Sequence, residues 1–184
     1  MSWPPDRDRY LEFGDRARLV EEIAARSEER SRLLRASEIA TWAGTLEDLA
    51  ERRSTVVVRL SGGRNHRGAL VALGRDHVAV RTPGGQLALL ATSAIRSLRP
   101  EPGTAAAPAT GDRERSAGRT LAEILDRCRE ENTRIVVGLE GVDEPLTGEV
   151  VALGEDVVTF RVDAQDHGVL YVPLDAVSAI VMDH

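Results

Sequence analysis

The sequence predicts an α+β fold that is mainly β, with a long N-terminal helix before two copies of one unit, each a short helix and five strongly bent antiparallel strands. Blocks of sequence recur in the same order about 80 residues apart, and each copy combines a helix-start signal with strand-period apolar residues. We therefore divide the chain into a helical extension (1–40), a first copy (41–99), a linker (100–115) and a second copy (116–184).

The repeat is clearest at Val71-Ala-Leu-Gly74, which recurs as Val151-Ala-Leu-Gly154. The other matching blocks, first copy before second, are Thr45–Leu49 with Thr120–Ile124, Val56–Leu60 with Ile135–Leu139, Gly68–Leu70 with Gly148–Val150, Val78–Arg81 with Val158–Arg161, and Ala94–Leu98 with Ala176–Ile180. A conserved order of six blocks indicates that one structural unit occurs twice.

Each copy opens with a helix-start signal. Thr45 precedes Asp48 by three positions, and Thr120 precedes Glu123 by three, which is the spacing of a capping box. We expect each threonine to cap a short helix with one apolar face.

Strand-period alternation follows each helix. Val56, Val58 and Leu60 alternate with side chains that are to face outward, as a half-buried strand requires. Further along, Gly74-Arg-Asp76 and Gly154-Glu-Asp156 predict tight turns, because glycine accepts positive φ and aspartate bonds its own backbone.

The segment from Asp15 to Ala40 predicts one long helix whose middle, residues 26–32, is too polar for a core. That middle is either solvated or paired loosely, or it forms a coiled coil with a partner. Trp3, Tyr10 and Phe13 lie before this predicted helix. They are candidates for docking a protein partner, with a hydrophobic staple onto the chain itself as the alternative.

Composition limits the class of protein. The net charge is −6, there is one cysteine, and all basic residues are arginine, which with abundant Ala, Gly and Val indicates a high-GC bacterial genome. No apolar run reaches the roughly 18 residues of a membrane helix, and the first ten residues lack the pattern of a secretory signal. We expect a cytoplasmic protein in which Cys128 is a small core residue.

The sequence offers no catalytic chemistry. Its four histidines lack the spacing of a zinc site, and no nucleophile elbow, phosphate-binding loop or carboxylate pair is evident. We expect a protein that is not an enzyme, with no metal, no cofactor and no small-molecule substrate.

Charge differs sharply between the copies. Residues 54–99 contain seven arginines and one aspartate, a net charge of +6, whereas residues 133–184 contain two arginines and ten acids, a net charge of −8. In the basic copy, the loop Ser61-Gly-Gly-Arg-Asn-His-Arg67 is either an anion site, with Arg64, His66 and Arg67 around glycine amides, or a hairpin turn with polar residues in water.

The whole pattern of capped helix, Val-x-Val-x-Leu strand, glycine-containing loop, Gly-x-Leu strand and Gly-x-Asp turn resembles the Sm-like family of small β-barrels, which are similar to SH3-like barrels. The resemblance covers residues 41–99 and 116–184 and includes Ile95-Arg96 as the family's Ile-Arg pair. It implies two barrels, ring assembly through edge strands, and RNA binding by loop residues, which adds Arg96 to the candidate anion-binding residues.

Two functions follow from these features. The first is a non-catalytic interaction and assembly module, in which oppositely charged copies contact each other, further molecules of the chain or a protein partner. The alternative is a nucleic-acid-binding regulatory protein that uses the basic first copy. Assembly ranks ahead because Gly74 and Val78 stand where the family has its base-reading acid and amide.

Overall fold

The computed structural model describes residues 7–38, 40–102, 118–163 and 168–182. Within the first helix, the side chains of residues 7–17, 19, 33, 36 and 37 lie outside this description. Most of the predicted linker, residues 103–115, also lies outside it.

The chain forms three α-helices, α1 (Arg7–Glu38), α2 (Trp42–Glu51) and α3 (Leu121–Glu130). The long N-terminal helix is confirmed, but it begins eight residues before the predicted Asp15. None of the helices that the structure describes is long and apolar enough to cross a membrane.

The predicted helix start is right in the second copy and wrong in the first. Thr120 and Glu123 form a reciprocal capping box at the start of α3, with hydrogen bonds of 2.8 and 3.1 Å. In α2 the cap is Thr41, whose extended backbone lets its hydroxyl accept from the Gly44 N–H at 3.0 Å. Thr45 therefore lies inside the helix, where its hydroxyl donates to the Thr41 carbonyl.

Five strands follow α2 and five more follow α3. They are β1 (Thr55–Leu60), β2 (Asn65–Leu73), β3 (His77–Arg81), β4 (Leu87–Ala91), β5 (Ile95–Pro100), β6 (Arg134–Leu139), β7 (Leu146–Leu153), β8 (Val157–Val162), β9 (Val169–Pro173) and β10 (Val177–Met182). A short 3₁₀ turn precedes β5 and another precedes β10. We call α2 with β1–β5 the first unit, and α3 with β6–β10 the second unit.

All ten strands belong to one open antiparallel sheet, in the order β5-β1-β2-β3-β4-β10-β6-β7-β8-β9. The fold is thus α+β and mainly β, as predicted, but the two separate barrels that we expected are not shown. The reason is the pairing of β4 with β10, which satisfies one edge from each unit. Two unpaired edges become the interior of a continuous sheet.

The two units share their internal pairing order. Strand order is β5-β1-β2-β3-β4 in the first and β10-β6-β7-β8-β9 in the second. Each unit also has a register shift at the same point of the recurring Val-Ala-Leu-Gly block, between Leu70 and Ala72 and between Val150 and Ala152.

Gly68 and Gly148 occupy matching positions where two strands come very close. A Cβ atom on Gly68 would lie 2.1 Å from the Arg81 carbonyl oxygen, and one on Gly148 would lie 2.2 Å from that of Arg161. Only glycine permits this approach of backbone to backbone.

The core follows the predicted alternation. Val56, Val58 and Leu60 of β1 are buried, and each short helix packs on the second strand of its unit, α2 on β2 and α3 on β7. Cys128 is buried on the core face of α3, as expected, and burial raises the pKa of its thiol.

Candidate interaction surfaces

The surface that joins the two units starts with backbone pairing. Strands β4 and β10 are antiparallel, with Leu90 opposite Ala179 and Leu89 opposite Ile180. All four side chains are buried. We call this contact the internal junction.

Asp76 adds a second contact to the internal junction. It lies in the turn before β3, and its carboxylate accepts hydrogen bonds from the N–H of Leu121 in the other unit at 2.9 and 3.2 Å. Leu121 is the first residue of α3, so the negative charge lies at the positive end of the helix dipole. The ring Nδ1 of His77 lies 3.0 Å from the same carboxylate.

Backbone atoms reinforce this contact. The Arg75 N–H donates to the Arg119 carbonyl at 3.0 Å. A Cβ atom on Gly118 would lie 2.9 Å from the Gly74 Cα, so the chain entering α3 lies directly on the turn of the first unit. Sequence reasoning identified Gly74–Asp76 as a turn but missed its role in joining the units.

Arg64 lies at the internal junction as well. This residue, a candidate for anion binding, reaches from the β1–β2 loop into the second unit, where Nη2 donates to the carbonyl oxygens of Leu139, at 3.5 Å, and of Val142. The guanidinium thus contacts backbone carbonyls that end β6 and start its following loop. Its Nη2 is thus directed at protein acceptors.

Arg96, which the sequence analysis also named as a candidate for anion binding, likewise bridges the two units at the internal junction. Its Nη1 donates to the Ser93 carbonyl at 2.9 Å, and its Nη2 lies 3.2 Å from the Glu140 carboxylate of the second unit. Both partners are more than a third exposed, so the ion pair orients the units more than it stabilises them. Glu140 was not singled out in the sequence, because its partner lies 44 positions away.

The remaining two anion candidates lie elsewhere. Arg67 on β2 donates to the Glu101 carboxylate at 3.0 Å, and this hydrogen bond lowers the pKa of Glu101. His66 is half-buried, with no hydrogen-bond partner for Nε2 among the described residues. Burial lowers the pKa of His66, and the charge of Arg64 lowers it further.

The three aromatic side chains predicted to dock a partner lie outside the side chains that the structure describes. Trp3 lies outside the described residues. Tyr10 and Phe13 lie in the helical part of α1, but their side chains are outside the description.

Strands β5 and β9 lie at the two ends of the sheet, and within the described parts of the chain no further strand pairs with their outer edges. On β9, Tyr171 is 72% exposed, and Val169 is also exposed. On β5, Arg96 and Ser97 are exposed and Leu98 is half-buried. The strands of the internal junction differ, because Ala88–Ala91 of β4 and Val177–Ile180 of β10 are buried throughout.

Over the described ranges, no three His, Cys, Asp or Glu side chains lie close enough together to bind a metal ion.

No family model matches the chain, and no curated protein or solved structure is significantly similar to it.

Replacing Asp76 by alanine tests the junction. We expect D76A to lower the free energy of unfolding by about 0.5–2 kcal/mol, because α3 loses an acceptor at its first turn. D156A, at the matching turn of the second unit, removes a side chain without a partner among the described residues and is the control. Urea unfolding of the dilute chain measures both, and equal losses would contradict the assignment.

Proposed function

We propose that the chain is a non-catalytic assembly module whose copies join head to tail, with β9 of one copy pairing antiparallel with β5 of the next. The observation that carries this proposal is that the two free edges are the counterparts of the two strands already paired at the internal junction. Repeating that contact between molecules satisfies both edges.

Registers within the units define these counterparts. Val172 of β9 lies opposite Val158, as Leu90 of β4 lies opposite Val78, so Tyr171 corresponds to Leu89. In the same way, Leu98 lies opposite Val58 as Ile180 lies opposite Val137. Leu89 and Ile180 face each other at the internal junction. Between molecules, Tyr171 is then to face Leu98.

Burial favours the same pairing. Leu89 is only 3% exposed, whereas its counterpart Tyr171 is 72% exposed on a strand that pairs with β8 alone. Covering an aromatic side chain and a half-buried leucine removes apolar area from water at about 25 cal/mol per Å². An exposed edge with such side chains is a template for another strand.

Charge also favours a head-to-tail contact over a head-to-head one. The β9 edge belongs to the acidic unit and the β5 edge to the basic unit. Opposite potentials attract unlike ends, and like ends repel.

The proposal includes a finer description of the units. Each is a small barrel of the Sm-like or SH3-like kind, derived from one duplicated segment, in a cytoplasmic protein of bacterial origin. The shared strand order, the matched register shifts and the paired glycines support the duplication.

Tyr171→Glu tests the assembly. A carboxylate at this position is to be desolvated beside Leu98, so we expect self-association to weaken at least tenfold, about 1.4 kcal/mol. Val151→Glu is the matched control, because Val151 is exposed but lies on β7, inside the sheet. Sedimentation velocity over a range of concentrations measures both. A wild-type chain that stays monomeric, or a Y171E chain that associates normally, would refute the proposal.

A second candidate function, nucleic-acid binding, is favoured by three other arginines. Arg59, Arg81 and Arg99 are exposed, and their side chains form no hydrogen bond or ion pair among the described residues. Arg59 and Arg99 lie on the outward-facing positions of β1 and β5. Arg81 on β3 lies opposite Ala69 on β2. Such a basic face attracts a phosphate backbone with little regard to sequence.

Replacing Arg59 and Arg81 by glutamine tests this candidate. If the face binds a mixed-sequence single-stranded oligonucleotide, the variant is to bind more weakly and to lose about 0.7 per arginine from the slope of log affinity against log salt. A control variant replaces Arg134 and Arg161, which are already paired with Asp163 and Glu149. Absence of binding at low salt, or equal losses in both variants, would eliminate the candidate.

A further inference from the structure

The internal junction contains a second contact besides its strand pairing, the turn Gly74–His77 lying on the start of α3. The corresponding turn of the second unit, Gly154–Val157, has the same backbone hydrogen bonds. Gly74 N–H donates to the His77 carbonyl at 2.8 Å, and Gly154 N–H donates to the Val157 carbonyl at 2.7 Å.

The aspartates of the two turns also match. The backbone carbonyl of each aspartate accepts, at 2.8 Å, a hydrogen bond from the N–H of the residue that follows the fourth strand of its unit. Asp156 is therefore held by the same backbone hydrogen bonds as Asp76, but its side chain is exposed and has no partner among the described residues.

The surface that receives the turn also has a counterpart. Thr41 precedes α2 as Thr120 precedes α3, with the same extended cap conformation and the same backbone bond from the residue four positions on. The difference lies in the next residue. Leu121 is 7% exposed beneath the first unit, whereas Trp42 is 42% exposed at the start of α2.

We infer that the turn Gly154–Val157 of one copy docks on Ala40–Trp42 of the next copy. The Asp156 carboxylate accepts from the N–H of Trp42, as Asp76 does from Leu121, and the indole of Trp42 is covered as the Leu121 side chain is. This inference rests on the proposed head-to-tail assembly, and it assigns that assembly a second contact away from the strand edges.

The exposed start of α2 is chemically suited to receive the turn that carries Asp156. Ala40, Thr41 and Trp42 are exposed, and a large apolar side chain at a helix start is an apolar surface for a partner. An aspartate at this point meets the positive end of the helix dipole and an amide that begins the helix, which favours the charged carboxylate.

Comparison of the internal junction with the proposed contact between copies indicates that the contact between copies depends more on Asp156 than the internal junction depends on Asp76. Strand registers place Glu144 at the position of Arg64 and Ser178 at the position of Arg96, so both arginine bridges are missing. Val157 replaces His77, so no imidazole lies beside the carboxylate. Of the polar side chains at the internal junction, only Asp76 therefore has an equivalent counterpart in this contact between copies, which is Asp156.

Two substitutions in one turn test the inference. Asp156→Ala and Glu155→Ala each remove one negative charge from exposed neighbours, so long-range electrostatics changes equally, but only Asp156→Ala removes the proposed acceptor of the Trp42 N–H. In sedimentation velocity, we expect D156A to weaken self-association about five- to tenfold and E155A to change it less than twofold. Circular dichroism of the dilute variants is to match the wild type.

Hydrogen exchange locates the contact directly. In the assembled wild type and in E155A, the amides at the start of α2 around Trp42 are to exchange more slowly than in the dilute chain. In D156A at a concentration that restores the same assembled fraction, this protection is to be absent, while protection of β5 and β9 remains.

The outcomes separate the two proposals. If the wild type does not associate, head-to-tail assembly and this contact both fall. If the wild type associates and Y171E prevents it, but D156A behaves like E155A in affinity and in exchange around Trp42, then assembly stands and the Asp156 contact is overturned.

Discussion

The pairing of β4 with β10 is the interaction on which the rest of this structure depends. Each unit contributes five strands to the sheet, and among the described residues each unit alone would have two unpaired edges. Joining one edge from each gives a ten-stranded sheet and buries Leu89 and Ile180 at its centre. The internal junction thus sets the order of the strands and decides which two edges stay free.

Polar contacts around this pairing explain part of the uneven charge along the chain. Arg64 and Arg96 of the basic unit reach acceptors in the acidic unit, and Asp76 lies at the start of α3. These groups fix the relative orientation of the units, because each hydrogen bond has a limited range of geometry. Opposite charge in the two units is therefore part of how they fit together, and not only a property of their outer surfaces.

Local features of the fold could be predicted from the sequence because their causes are local. The alternation in β1 and the capping box at Thr120 each follow from residues that are neighbours in the sequence. The start of α2 was wrong, because both Thr41 and Thr45 can cap a helix and the extended backbone at Thr41 decides between them.

The candidate site was harder to predict because its partners are distant in sequence. Arg64 and the Leu139 carbonyl are 75 positions apart, and no spacing rule connects them. Loop arginines beside glycines indicate an anion site when the chain is read locally, yet here the acceptors are carbonyls of the second unit. The joining of the two units into one sheet likewise depends on unpaired strand edges, which the hydrophobic periodicity of a sequence does not reveal.

The most direct test of the account is disulfide formation between copies. Leu98→Cys and Tyr171→Cys chains are mixed under mild oxidation, with Cys128 retained because its buried thiol has a raised pKa. The account predicts Leu98–Tyr171 cross-links between molecules, since facing residues on paired strands meet the distance a disulfide needs, and no comparable product from L98C with V151C. Equal yields from the two mixtures, or no cross-link at concentrations where the chains associate, would contradict it.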